Sequence, residues 1–296
     1  MPAPGISKDL SFTPPLDWAT LLSFFRTRAV DGLEQVTENC YIRRYDQGDH
    51  GDQANRISVH CDTDRSTLTI TGLASTQAAD IKHRIRNLFD LEANPQAVAQ
   101  TLRRTRSLEQ ALPDLDLIRV PGAWDLFEIG VRAILGQQVT VAGARTLSQR
   151  LIQRFADPSL TSVPSQLGLT RFPSPDRLAK APIVEIGMPS RRAEAIQRFA
   201  RLMSEAPTLH ESASDFSKEL LAIPGIGPWT VNYIRMRGLK DPDAFPEGDI
   251  ALLRAAQHLG IAETMKDLQS AAEAWRPYRA YATIALWRVL SNKAKS

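Results

Sequence analysis

The chain has 296 residues, 43% of them hydrophobic and 23% charged, a globular composition with room for two or three domains. A net charge of +3 is only mildly basic and does not by itself establish a polyanionic partner, although arginine pairs recur at Arg43-Arg44, Arg103-Arg104 and Arg191-Arg192. Cys40 and Cys61 leave no ligand-spaced set for zinc or an iron–sulfur cluster; no apolar run reaches the roughly 18 residues of a membrane span, and the Pro-rich start MPAPGISKDLSFTPP lacks a signal-peptide core, so a cytoplasmic location is expected.

In chain order, Pro14-Pro15 precede a helix expected near 18–28. CYIRRY (40–45), ANRISVHCD (54–62) and STLTITGL (66–73) read as strands, with alternation at Ile57, Val59, Cys61 and at Leu68, Ile70. Asp62 to Ser66 is the expected turn of an antiparallel pair. Residues 74–91 have helical period, with Ile81, Ile85, Leu88 and Phe89 on one face. Residues 11–110 thus read as a small α+β domain on an antiparallel sheet, and a shorter helix near 95–106 leads away from it.

From Pro121 onward the pattern is helical. Asp125 and Glu128 have capping-box spacing. The apolar period then runs from Val131 to Phe155, too long for one helix, and a break is expected near Gly136-Gln137-Gln138. Residues 156–178 are rich in Pro and Ser and read as a surface connection. Helices are expected at 190–205, 215–222, 229–237, 249–259, 264–275 and 278–290.

The stretch LLAIPGIGPWTVNY (220–233) carries the most chemistry. Pro224 stops one helix, and Pro228 suits the first turn of the next. Gly225 and Gly227 permit backbone angles that other residues resist. A Walker loop lacks its lysine here, and a dinucleotide fingerprint lacks its third glycine and its strand. Two readings stand: a plain helical turn, or a hairpin whose amides hold a phosphate. Asp249 likewise reads as a helix N-cap or as a catalytic carboxylate. Trp229, Tyr233, Trp275, Tyr278, Tyr281 and Trp287 read as core or as pocket aromatics.

Four segments in this order resemble the helix–hairpin–helix superfamily of DNA base-excision glycosylases, most closely its bacterial DNA-3-methyladenine glycosylase II group. They are PPLDWATLLSFFRTRAVDGLE (14–34), VRAILGQQVTV (131–141), the hairpin with FPEGD (245–249), and WRPYRAYATIALW (275–287). The resemblance implies an α+β N-terminal domain at 1–93, similar to half of the TATA-binding protein. It implies a segment 94–118 packing with the C-terminal helices, then two predominantly helical domains, 119–236 with the helix–hairpin–helix motif and 237–296, with the cleft between them.

The implied activity is hydrolysis of the N-glycosidic bond of alkylated purines in duplex DNA, such as 3-methyladenine and 7-methylguanine. Asp249 would stabilise an oxocarbenium-like sugar or position water; Glu247 is two residues off the pattern, and Gly248 stands where relatives often have a second aspartate. Trp229 and Trp287, with Tyr233 beside them, would form a broad aromatic pocket for a flipped base, without tailored polar donors. Phe12 and Phe25 belong either to that wall or to a core. Gln138 would fill the gap in the duplex, while Gln137 would tie backbone groups near the helix break. The amides of Gly225, Gly227 and Trp229 would grip a phosphate, with a structural Na+ or K+ near Pro224 and Ile226 and no cofactor needed for chemistry.

Lyase relatives carry a lysine where this chain has Trp229, and Lys218 and Lys240 lie off that position, so a monofunctional enzyme is implied. The implied partner is damaged double-stranded DNA, with no membrane, and a monomer is expected. Glycosylases for deaminated, mismatched or oxidised bases, and a non-enzymatic damaged-DNA-binding protein, are the alternatives.

Overall fold

The structure is a computed structural model describing residues 6–45, 56–73, 78–156 and 170–293. Residues 54–55 of the expected strand 54–62, 74–77 of the expected helix 74–91 and 157–169 of the expected connection 156–178 lie outside the described residues.

The N-terminal part is a five-stranded antiparallel sheet in the order β1-β5-β4-β3-β2. The strands are β1 (Ile6–Ser11), β2 (Glu34–Val36), β3 (Cys40–Arg44), β4 (Arg56–Asp62) and β5 (Thr67–Leu73). Alternation buries Ile57, Val59, Leu68 and Ile70 completely, while Cys61 stays partly exposed. Over this face lie α1 (Trp18–Arg28) and α2 (Ala78–Phe89), which add Leu22, Phe25, Ile85 and Phe89 to one core. Strands β1 and β2 lack a readable pattern of their own. The first carries Lys8 and Asp9, the second is three residues long, and pairing with β5 and β3 makes them strands.

The helical remainder holds two further cores. The expected helix 95–106 is in fact α3 (Pro95–Leu102) and α4 (Arg106–Ala111), because Arg103 caps one and Thr105 starts the other. Both pack with α11 (Ile250–His258), α12 (Met265–Ala272) and α13 (Arg279–Lys293). The expected helix 264–275 stops at Ala272 and continues as a tighter turn through Trp275. The other core comprises α5 (Leu126–Leu135), α6 (Val141–Phe155), α7 (Pro175–Lys180), α8 (Ser190–Glu205), α9 (Ala213–Ala222) and α10 (Pro228–Gly238). Helix α7 begins inside the stretch read as a connection and runs two residues past it; Ser174 caps it and Pro175 opens it. At Gly130 a Cβ would meet the Phe199 ring at 2.3 Å, so α5 and α8 approach as closely as glycine allows.

The capping box at Asp125 is only half formed. Asp125 Oδ1 accepts the Glu128 N–H at 3.0 Å, but the Glu128 side chain turns inward to a buried ion cluster. There Arg43 pairs with Glu128 and, at 3.4 Å, with Glu34. Arg132 reaches Glu34 at 2.8 Å and Glu128 at 3.2 Å, and the Tyr41 hydroxyl donates to Glu34 at 2.8 Å. Sheet residues Glu34, Tyr41 and Arg43 thereby lock onto α5. Burial alone would raise the Glu34 carboxyl, but Arg132 and Arg43 bring it below the ordinary carboxylate value. Such a cluster adds little over a well-packed apolar one, yet breaking it strands a buried charge.

Glu128→Ala is therefore expected to cost about 3 kcal/mol in urea denaturation, by removing the shorter of the two ion pairs of the buried Arg43 and one of the two of Arg132. Because the folded Glu34 value is depressed, its stabilisation is full above an unfolded value of about 4.3 and fades as pH falls through the lower folded value. Melting curves taken downward from pH 7 check this, and the acid loss should shrink in Glu34→Gln.

Candidate active site

Helix α11 begins at Asp249, whose carboxylate caps it. Oδ1 accepts the N–H groups of Ala251 at 2.8 Å and Leu252 at 3.0 Å. Oδ2 accepts the indole N–H of Trp229 at 2.9 Å. Only 9% of the residue is exposed, and that part lines the wall of a large cleft. Three donors thus fix both oxygens of one carboxylate, so capping and presentation to the cleft coexist. Trp229 is accordingly more than a wall: it orients Asp249.

The cleft has a volume of about 880 Å³ and opens where the sheet domain and both helical cores converge. Trp229 stacks on Tyr233 with ring centroids 5.1 Å apart, and Trp287 of α13 lies 6.3 Å beyond, tilted by 46°. Tyr233 packs against both helical cores and sits at their seam. Trp275 is fully buried, its N–H donating to Thr105 Oγ1 at 2.8 Å; Tyr281 is also core, with Tyr278 packed edge-on against it. Phe12 belongs to the sheet core, whereas Phe25 serves both that core and the cleft.

The aromatic wall also carries two guanidinium groups. Arg28 and Arg237 both line the cleft. Arg237 donates to the carbonyls of Pro121 and Gly122 at 2.8 Å each and to the Tyr233 hydroxyl at 2.7 Å. Arg28 lies 3.8 Å over the Phe24 ring, donating to Phe24 O at 3.2 Å and Thr27 Oγ1 at 3.0 Å. Burial brings the Arg28 guanidinium down to about 10, although Tyr233 opposes the shift. Burial would raise the Tyr233 hydroxyl, but Arg237 and Arg28 bring it below its ordinary value. No pattern in the sequence joins α1 to α10, so the role of Arg28 was not legible there.

The hairpin joins α9 to α10 as expected. Gly225 has φ +96°, a conformation glycine alone adopts without strain. Gly227 does not: its φ is −106° and a Cβ there would meet nothing, so its value lies in leaving the amide uncovered. Among the described residues, the N–H groups of Gly225, Gly227 and Trp229 donate to no protein acceptor. The carbonyl of Ile223 accepts from Ile226, whereas those of Pro224 and Ile226 accept no protein bond. Gln137 ties the hairpin rather than its own helix break, donating to Gly225 O at 2.9 Å and Thr230 Oγ1 at 3.0 Å. Gln138 is exposed at φ +57°, a strained conformation for a non-glycine residue.

Glu247 is exposed and Gly248 adopts φ +81°. Lys240 is committed to Asp90 and to the Val120 carbonyl, each at 2.8 Å. Among the described residues, the exposed large apolar side chains include Val139 and Val141 beside Gln138, Leu221 before the hairpin, and Ile250 beside Asp249. Of these, Val139 and Val141 line the cleft.

Comparison with known proteins gives the same picture along the whole chain. A relative described as DNA-3-methyladenine glycosylase 2, from Escherichia coli, is 36% identical over 286 residues, covering 94% of this chain and 95% of its own. A probable bifunctional transcriptional activator/DNA repair enzyme from Mycobacterium tuberculosis is 32% identical over 292 residues, and this chain spans 58% of that longer protein. Among solved structures, a 3-methyladenine DNA-glycosylase from Archaeoglobus fulgidus shares the fold, with TM-score 0.81, 18% identity and coverage of 98% and 99%. Family models match as the AlkA N-terminal domain over residues 7–125 and the HhH-GPD superfamily base excision DNA repair protein over residues 131–280. With its hairpin, its capped Asp249 and this agreement over both parts, the chain belongs to the HhH-GPD superfamily of base excision DNA repair proteins.

Proposed function

We propose that this protein is a monofunctional DNA glycosylase that hydrolyses the N-glycosidic bond of alkylated purines in duplex DNA. The observation that carries the mechanism is Asp249: a carboxylate fixed by the α11 amides and by Trp229, at the wall of an aromatic cleft and one hairpin away from uncovered amides. A flipped base would stack against Trp229, Tyr233 and Trp287. Asp249 would face the sugar as positive charge builds at its anomeric carbon, and would position the attacking water. An alkylated purine is already a good leaving group, so no general acid is required.

The amides of Gly225, Gly227 and Trp229 suit one backbone phosphate, which holds the duplex without reading its sequence. The unpaired carbonyls of Pro224 and Ile226 fit a hard monovalent cation, Na+ or K+, as a structural bridge; the reaction needs no cofactor. Gln138, strained and exposed within the α5–α6 break, would enter the duplex gap, with Val139 and Val141 adding exposed apolar surface. Trp229 stands at the start of α10 and Lys240 is committed to an ion pair with Asp90, which supports base release without strand cutting. The protein would act on DNA as a monomer, in the cytoplasm of the cell.

Asp249→Asn should lower release of 3-methyladenine or 7-methylguanine from duplex DNA by on the order of 100-fold or more, with near-normal stability, because asparagine also caps helices. Equal base release by this variant would sink the catalytic assignment, and alkali-independent strand breaks by the wild type would sink the monofunctional one. Trp229→Phe keeps the ring but loses the bond to Asp249; we expect roughly 10-fold slower single-turnover release with binding largely retained.

A further inference from the structure

Arg28 and Arg237 place positive charge at the aromatic end of the cleft, where an all-apolar wall would have sufficed. Both guanidiniums lie over the Phe24 ring, at 3.8 and 4.8 Å from its centroid. Arg237 is bound three times over, to Pro121, Gly122 and Tyr233, and its place is structural. Arg28 is anchored through Nη1 to its own helix and also interacts with the Tyr233 hydroxyl, but among the described residues it holds no loop carbonyl as Arg237 does. Its charge is felt at Tyr233, whose hydroxyl the two arginines together bring below its ordinary value against the effect of burial. Tyr233 also stacks on Trp229 and meets Trp287 at a tilt, in the wall against which a base would lie. Asp249, with the opposite charge, stands at another part of the same cleft wall.

We propose that Arg28 is a specificity-determining residue that favours transfer of the glycosidic electron pair onto the departing base. This rests on the glycosylase reading given above. The bond between the anomeric carbon and the base nitrogen breaks, and its electron pair goes to the base. Water oxygen bonds to the anomeric carbon and gives up one proton. A cationic base leaves neutral, and that proton passes to solvent; a neutral base leaves as an anion and takes up one proton. In both cases the base becomes more negative by one charge, and the developing positive charge sits on the sugar beside Asp249. A fixed cation at the base end lowers that barrier.

The two kinds of base differ in the ground state. A cationic base is repelled by Arg28 when it enters, and the repulsion eases as the bond breaks. A neutral base is not repelled on entering, and attraction grows as the bond breaks. Arg28 should therefore raise kcat/KM for neutral lesions, whereas for cationic ones it should raise kcat and KM together.

The test compares the wild type, R28Q and R28K on duplexes carrying hypoxanthine, a neutral base, and 7-methylguanine, a cationic one. In R28Q we expect kcat/KM on hypoxanthine to fall by about 10–100-fold, with R28K restoring most of it. On 7-methylguanine we expect KM and kcat to fall together and kcat/KM to hold or rise. Equal losses on both substrates, or no loss on hypoxanthine, would overturn the proposal, as would a wild type that releases 7-methylguanine but no hypoxanthine. A wild type that releases neither base would instead overturn the glycosylase reading itself.

Discussion

The bond from the Trp229 indole to Asp249, 2.9 Å long, spans the seam between the two helical cores. One partner opens α10, directly after the hairpin; the other opens α11, directly after a left-handed glycine. The element that would hold a phosphate is thus tied to the carboxylate that would meet the sugar. If the two cores shifted against each other, the carboxylate would lose one of its three donors and its orientation. Gln137 adds a second tie from the α5–α6 break to the same hairpin, through Gly225 and Thr230. The α5–α6 break and the hairpin, the parts that would fill the gap and hold a phosphate, are thereby tied to each other.

A different constraint holds the sheet domain against that assembly. Glu34, Tyr41 and Arg43 meet Glu128 and Arg132 out of solvent, and each charge is useful only because the others are present. The same α5 that receives this cluster leads into the Gln137–Gln138 break. Helix α1 then hangs over the cleft, with Phe25 buried inward and Phe24 and Arg28 turned toward the space where a base would sit. The sheet domain thus completes the pocket as well as flanking it.

Charge in the cleft is arranged along a direction. Carboxylate and guanidinium line different parts of one wall, with stacked rings between them. Aromatic faces alone would bind a flipped base without moving charge. The field between Arg28 and Asp249 gives the arrangement a preference for the bond that breaks, and couples substrate choice to chemistry. That coupling needs a residue from the first helix and one from the eleventh, which only the folded chain brings together.

Much was legible in the sequence because it was local. Helix periods, the Pro-Gly-x-Gly-Pro turn and the N-cap at Asp249 depend on neighbours within a few residues; the structure places the turn and the cap as read, and most of the helices, with 95–106 divided in two and 264–275 shortened. The strands β1 and β2 were not legible, since their pairing partners rather than their own residues make them strands. Glu128 has capping-box spacing but serves Arg43, 85 residues away, because a buried cation outbids a local cap. The sequence by itself determined the family, most of the helices and three of the strands, and the hairpin with its N-capped Asp249. Only tertiary structure decided that Trp229 orients Asp249, that Gln137 braces the hairpin and that Arg28 faces the pocket, because those contacts join charges and donors distant in the chain, and burial sets their strength.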